Sequence, residues 1–271
     1  VIKKYSVKEK VVIITGAAGG IGQALSRRFG QAGAIVVLID LDGDSVGMVA
    51  GELEAEGIAC TAMPLDVTDE EACRNTLTAV IKKYGRIDVL INNAGITHRS
   101  AFSETETGVF RRVMDVNYFG SINCTKATLD QLILNQGIII VISSVAGFAP
   151  LLGRTGYAGS KHALHGLFDS LRTELKKYNV TVTIVCPGFT NTAINRHALD
   201  GDGSLSTHPQ STAGKAASPE SVANAVYRAA VRKKRLIVLS GVGRLTRIMT
   251  RCCPALYEFI MARSLRSELK R

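Results

Sequence analysis

Short runs of branched apolar residues separated by longer amphipathic stretches recur along this chain, and that rhythm limits its fold more than any other feature. Val11, Val12, Ile13 and Ile14 form the first run, a helix-like stretch covers 20–32, and residues 35–39 form the second run. This is a β-α-β unit. The alternation continues with strands predicted at 58–63, 87–91, 138–142, 180–186 and 236–239, and helices at 69–84, 108–134, 157–178 and 219–232. Because the strand runs are apolar at successive positions rather than alternate ones, both of their faces must be buried. That requires a parallel sheet covered on each side by helices. The expected class is α/β, a doubly wound parallel sheet, and 271 residues accommodate it as a single domain over 1–240.

Two segments break the rhythm. Residues 190–218 are rich in Ser, Thr, Gly, His and Asn and too long for a simple connector, so they are predicted to form a flap over a substrate. In 241–271, Leu245, Ile248, Met249, Leu256, Phe259 and Ile260 fall near helical spacing, with Arg244, Arg247, Arg251 and Arg263 between them and an interruption at Pro254. Two short amphipathic helices are predicted in this basic C-terminal extension.

The formal charge of +10 belongs to the same end: residues 232–271 carry +9, leaving the first 231 residues near neutral. The sheet region therefore carries no nucleic-acid signal, while the tail alone can meet anionic lipid, nucleic acid, an acidic partner or solvent. It can also complete a substrate pocket or a subunit contact. No apolar run of about 18 residues suggests a spanning helix, and the first residues show no leader. Cys60, Cys73, Cys124, Cys186, Cys252 and Cys253 contain no C-x-x-C pair, which suits a reduced compartment. A cytoplasmic location is expected, with peripheral membrane contact through 241–271 and Cys252 and Cys253 as candidates for acylation.

Directly after the first strand comes Thr15-Gly16-Ala17-Ala18-Gly19-Gly20-Ile21-Gly22 at the start of a helix. Glycines there let the backbone turn sharply and approach a pyrophosphate, whose charge meets free N–H groups and the positive end of the helix dipole. The spacing is G-x-x-x-G-x-G, not the general G-x-G-x-x-G, so the flanking strand and helix carry the argument. Asp40 ends the second strand, where a carboxylate accepts the two ribose hydroxyls of NAD and repels the 2′-phosphate of NADP; the alternative is an exposed Asp opening the turn at 41–44. Asp66 and Val67 follow the third strand, where Asp66 either faces the adenine or caps the next helix.

Tyr157 and Lys161 stand four apart and so share one helix face, and a nearby ammonium favours the phenolate of a tyrosine. Alone this pair is common on helix surfaces. Its company is not: Ser143-Ser144 ends one buried strand, Asn92-Asn93-Ala94-Gly95 ends another, and Asn117 interrupts a long helix. Strand ends of an open α/β sheet form its ligand crevice. The combination of TGxxxGxG, NNAG, Asn, Ser, YxxxK and Pro187-Gly188 resembles the short-chain dehydrogenase/reductase family over about residues 8–240.

The resemblance implies a Rossmann-like fold and a hydride transfer between NAD and an alcohol or ketone. Tyr157 would be the general acid/base, Lys161 would lower its pKa and bind the nicotinamide ribose, and Ser144 would polarise the substrate oxygen. Asn117 would hold a water in a proton relay. Gly16, Gly19, Gly20, Ile21 and Gly22 would wrap the pyrophosphate, with Asn93, Ala94 and Gly95 on the adenosine side. Pro187, Gly188, Thr190 and Thr192 would contact the carboxamide. A homodimer or homotetramer, packed through the helices at 108–134 and 157–178, is also implied.

Val145, Phe148, Ala149, Pro150, Leu151, Leu152 and Phe189 near the expected pocket favour a lipophilic secondary alcohol or ketone, steroid-, retinoid- or acyl-like, while Arg154 and His98 could reach a polar group on it. His162, His165 and Asp169 are too few to hold a metal, and no G-x-S-x-G elbow surrounds Ser144. The alternative function is a non-catalytic dinucleotide sensor or scaffold docking a partner through its basic tail.

Overall fold

Every position of the first strand, β1 (Val11–Thr15), is buried, as a central parallel strand requires. The computed structural model describes residues 4–192, 194, 197–207 and 216–265. Its other strands are β2 (Ile35–Asp40), β3 (Cys60–Pro64), β4 (Val89–Asn92), β5 (Ile138–Ile142), β6 (Thr181–Cys186) and β7 (Leu236–Val238). They form one parallel sheet in the order β3-β2-β1-β4-β5-β6-β7. The order reverses between β1 and β4, so a crevice opens at their carboxyl ends.

Strand residues divide by parity between two cores. Val12, Ile14, Val36 and Leu38 pack with Leu25 and Phe29 of α1 (Gly20–Gly30), Val46 and Leu53 of α2 (Gly43–Ala55), and Val222 and Val226 of α7 (Pro219–Val231). Val11, Ile13, Val37 and Ile39 pack on the other side with Leu77 of α3 (Glu70–Tyr84), Cys124 and Leu132 of α5 (Gly120–Leu134), and Leu164 and Phe168 of α6 (Thr155–Leu175). The helix α4 (Thr107–Met114) and a π-helical turn at Asp115–Phe119 precede α5, so the stretch read as one helix over 108–134 is broken where Asn117 lies.

The helix α2 has no counterpart in the sequence reading, which placed only a turn at 41–44. Asp42 caps it, accepting the Ser45 N–H at 3.1 Å and the Ser45 hydroxyl at 2.6 Å. Of the flap at 190–218, residues 193, 195, 196 and 208–215 lie outside the described residues. The rest is tied down by single bridges, Thr190 to Ala217 and Leu199 to both His98 and Leu205. The tail folds into two helices, α8 (Gly241–Cys252) and α9 (Pro254–Leu265), as the spacing predicts. Among the described residues no helix is long and apolar enough to cross a membrane.

Candidate active site

One cavity of about 1360 Å³ runs along the carboxyl ends of the strands. Its floor at one end is the glycine turn. Gly16 adopts φ +64°, and a Cβ there would lie 2.8 Å from Cα of Ala94, while one on Gly22 would lie 2.1 Å from the Gly16 carbonyl oxygen. Glycine is therefore demanded at both positions by backbone packing. Gly19, at the N-cap of α1, supplies no side-chain cap, so the N–H groups of the first turn are left for a ligand that lies in the cavity. That suits the pyrophosphate of a dinucleotide.

The second and fourth strands frame this end. Asp40 Oδ2 accepts the Ala18 N–H at 2.8 Å, joining β2 to the glycine turn, and the carboxylate also lines the cavity. The Asn93 side-chain amide donates to the carbonyls of Thr15 (2.9 Å) and Gly16 (3.0 Å), and the Thr15 hydroxyl accepts the N–H groups of Asn93 and Ala94 at 3.0 Å each. Asn93 thus braces the turn as well as lining the crevice. Asp66 Oδ1 accepts from the Thr68 N–H and hydroxyl, and Asp69 is the residue that caps α3, through the Ala72 N–H at 2.8 Å. Asp66 and Val67 both line the cavity, as do Gly20, Ile21, Gly95, Pro187, Gly188, Thr190 and Thr192.

At the other end α6 presents Tyr157 and Lys161. The Lys161 Nζ donates to the Ile142 carbonyl at 3.0 Å and lies 5.7 Å from the centre of the Tyr157 ring. Burial lowers its pKa to about 8. Burial also dominates at Tyr157, whose pKa is raised although a hydrogen bond with Ser144 and the charge of Arg154 pull it down. The expected lowering of the phenol is therefore not what the protein alone produces. Ser144 follows β5 by two residues and caps the short turn after it, its hydroxyl accepting the Ala146 N–H at 3.1 Å.

Asn117 lies behind the cavity wall, 1% exposed, where its side chain accepts the Ile96 N–H (2.8 Å) and donates to the Ile96 carbonyl (3.0 Å) and Ser160 hydroxyl (2.9 Å). A Cβ on Gly95 would stand 3.0 Å from Asn117 Oδ1 and 3.5 Å from Lys161 Nζ, so glycine lets these two groups approach.

Two expectations are corrected. Phe148 does not line the cavity; its ring packs edge-on to His165 at 6.2 Å, against the core. His98 is wholly buried behind the wall, where Nε2 accepts the Gly156 N–H at 2.9 Å and so steadies the start of α6. Burial lowers its pKa to about 4, so it is neutral. Val145 and Phe189 line the cavity as expected, and His162 and His165 belong to no cluster able to hold a metal among the described residues.

The sequence reading left open what the tail does. Its inner face closes the end of the cavity beside Val145 and Pro150: Gly243, Leu245, Thr246, Met249, Tyr257 and Met261 line the cavity. A Cβ on Gly243 would come within 2.9 Å of Val145, so glycine allows α8 to settle there, and the Tyr257 hydroxyl donates to the Pro150 carbonyl at 3.3 Å. Leu41, Ser45, Arg112 and Val116 at the dinucleotide end also escaped the sequence reading, since no motif marks them.

The short chain dehydrogenase family model matches residues 10–202. The chain is 36% identical over 273 residues to dehydrogenase/reductase SDR family member 7B of Bos taurus, covering 97% of this chain and 84% of that one. It is likewise 36% identical over 260 residues to a dehydrogenase/reductase SDR family protein 7-like of Drosophila melanogaster, covering 94% and 80%. Among solved structures, a short-chain dehydrogenase/reductase from Burkholderia phymatum in complex with NAD shares the fold at a TM-score of 0.83 and 22% identity, covering 93% of this chain and 96% of that one. An alcohol dehydrogenase from Thermococcus sibiricus complexed with 5-hydroxy-NADP aligns at 0.74 and 25% identity, over 86% and 97%. A glycine turn shaped for a pyrophosphate and a matching family model over most of the sheet lead to one conclusion: the chain is an oxidoreductase of the short-chain dehydrogenase/reductase family, which uses a nicotinamide dinucleotide.

Proposed function

We propose that the protein transfers a hydride between NAD and a lipophilic secondary alcohol or ketone. The observation that carries this reading is the meeting of Ser144, Tyr157 and Lys161 in the same cavity as the glycine turn. The dinucleotide supplies or accepts the hydride at its nicotinamide ring. The chain's own residues do the rest. The hydroxyls of Ser144 and Tyr157 hydrogen-bond the substrate oxygen where charge develops, and Tyr157 gives up or takes the proton. Lys161 places a buried ammonium beside them at neutral pH, and Asn117 ties Ile96, in the loop after β4, to Ser160 of α6. Pro187, Gly188, Thr190 and Thr192 face the nicotinamide end.

Asp40 supports NAD over NADP, because its carboxylate stands at the cavity wall and a 2′-phosphate there would meet a like charge. Val145, Pro150, Leu151, Phe189, Leu245, Met249 and Met261 give the substrate end its apolar character. We assign the remaining contacts to a homodimer or homotetramer through α5 and α6, and to peripheral association of 241–271 with a membrane. The test is reduced-nicotinamide absorbance with a panel of lipophilic alcohols and ketones. Turnover is expected with NAD(H) in preference to NADP(H), falling about 10²–10⁴-fold in Tyr157→Phe, and Asp40→Ala should narrow the preference between cofactors. Dinucleotide binding without turnover across the panel would replace this reading with that of a sensor, and a preference for NADP(H) would overturn the role of Asp40.

A further inference from the structure

The cysteines are scattered in sequence, yet the fold sets two of them side by side: Sγ of Cys73 in α3 lies 4.0 Å from Sγ of Cys124 in α5. Both side chains are wholly buried. The Cys73 thiol also donates to the Val67 carbonyl at 3.5 Å, and Asn123, next to Cys124, donates its side-chain amide to the same carbonyl at 3.0 Å and to the Thr68 carbonyl at 3.4 Å. A Cβ on Gly120, one turn earlier in α5, would stand 2.6 Å from the Val67 side chain, so the 66–68 turn sits directly on that helix. Asp66, Val67 and Thr68 line the cavity, and the Leu65 N–H donates to the Asp40 carbonyl at 2.8 Å, which joins this turn to the strand end that braces the glycine turn. Asp66, Thr68 and Asp69 are exposed, so the turn that Cys73 touches faces solvent.

We propose that Cys73 and Cys124 form an oxidative modification site: hydrogen peroxide converts them to a disulfide, and the disulfide weakens dinucleotide binding by displacing the 66–68 turn. A disulfide bond is about 2.05 Å long, so the sulfurs must close by about 2 Å from their present 4.0 Å. Both helices grip Val67, and neither can move toward the other without moving it. Cys73 is the sulfur that reacts first. The hydrogen bond from the Cys124 thiol holds its pKa below the ordinary 9.0, against the opposing pull of burial, Asp69, Asp66 and Glu70, while the same bond and burial hold Cys124 well above that value. The Cys73 thiolate attacks one peroxide oxygen, the O–O bond breaks, and the other oxygen leaves as water with the proton that Cys73 lost, giving a sulfenic acid. The Cys124 sulfur then attacks the Cys73 sulfur, the S–O bond breaks, and that oxygen leaves as a second water with the Cys124 proton. Two thiols have lost two electrons and two protons, and one peroxide has become two waters.

The test uses the full chain carrying Cys252→Ser and Cys253→Ser, which removes the two exposed thiols. After treatment with hydrogen peroxide, free thiols are counted, disulfide-linked peptides are mapped by mass spectrometry, and dinucleotide affinity is measured by calorimetry. The expected result is the loss of two thiols, a peptide pair joining Cys73 to Cys124, and a Kd for the dinucleotide raised at least about fivefold, the lower end of ordinary coupling between two sites. Dithiothreitol should reverse all three. Cys124→Ala in the same background cannot form the bond and should keep its affinity under peroxide. Absence of the linked pair, or a linked pair with unchanged affinity, would overturn the proposal even if the Ala variant failed to fold. So would an equal loss of affinity in a folded Cys124→Ala protein. Measuring NAD and NADP separately makes the outcome independent of the preference assigned to Asp40, and binding as the readout makes it independent of the hydride-transfer reading.

Discussion

The phenol of Tyr157 is pulled in opposite directions by its surroundings, and which side prevails fixes the direction of its titration. Burial raises its pKa above the ordinary 10.0, and Ser144 and Arg154 pull it back only in part. In the protein without dinucleotide the residue is therefore the protonated phenol throughout the neutral range, the form that the proposed reduction would need as a donor and that the proposed oxidation would have to deprotonate. Lys161 works in the opposite sense. With its pKa lowered to about 8, it is an ammonium below that pH and a neutral amine above it, so its support for the phenolate fades as pH rises. We predict that a difference titration of the dinucleotide-free protein, unaltered minus Tyr157→Phe, shows no phenolate absorbance from Tyr157 until the pH passes 10. A phenolate signal at pH 8 would show that Lys161 outweighs burial.

At the scale of the element, α2 shows what local composition hides. Gly43, Gly47 and Gly51 lie within it, and each weakens the helical signal, yet Val46, Val49 and Leu53 bury one face and Asp42 caps the start. Tertiary packing overrides propensity. Gly47 and Gly51 are exposed, and a Cβ at either would meet nothing within 4 Å. Gly47→Ala and Gly51→Ala should each stabilise the protein by about 0.5–1 kcal/mol, seen as a higher denaturant midpoint at an unchanged slope; no shift in either variant would mean that α2 is not helical in solution.

The strands were legible because both faces are apolar, and the residues of the candidate site because they follow strand ends and stand one helical turn apart. Phe148 and His98 were misplaced for the complementary reason. Both lie near the pocket in sequence, but the short turn after β5 and the bridge to Leu199 direct their side chains into the interior. The π-helical turn at Asp115–Phe119 left only a polar residue within an apolar run as its trace. Nothing in the letters could say that widening the helix there brings Asn117 to Ile96 and Ser160.

Considered as a whole molecule, the chain separates its chemistry from its charge. The crevice follows from strand order, whereas nearly all the excess positive charge lies beyond residue 231, in the segment whose helices close the cavity beside Val145 and Pro150. The outer side of that closure exposes Ile248, Leu256 and Phe259, at 61%, 53% and 66%, and Arg244, Arg247, Arg251 and Arg263 lie on the same two helices, with Glu258 as the acidic residue. Apolar side chains flanked by arginines suit the boundary of an anionic bilayer, where each cation near the surface contributes about 1 kcal/mol. A lipophilic substrate would then approach the cavity from the side on which it is dissolved. The full chain should float with phosphatidylserine-containing vesicles more than with phosphatidylcholine vesicles, and less as salt is raised. Ile248 and Phe259 do not line the cavity, so the double variant Ile248→Glu, Phe259→Glu addresses the outer face itself. It should lose flotation while keeping its melting transition. Equal flotation of the two proteins would remove the membrane contact, and self-association of the unaltered chain without vesicles, abolished by the same pair, would assign this face to a subunit interface instead.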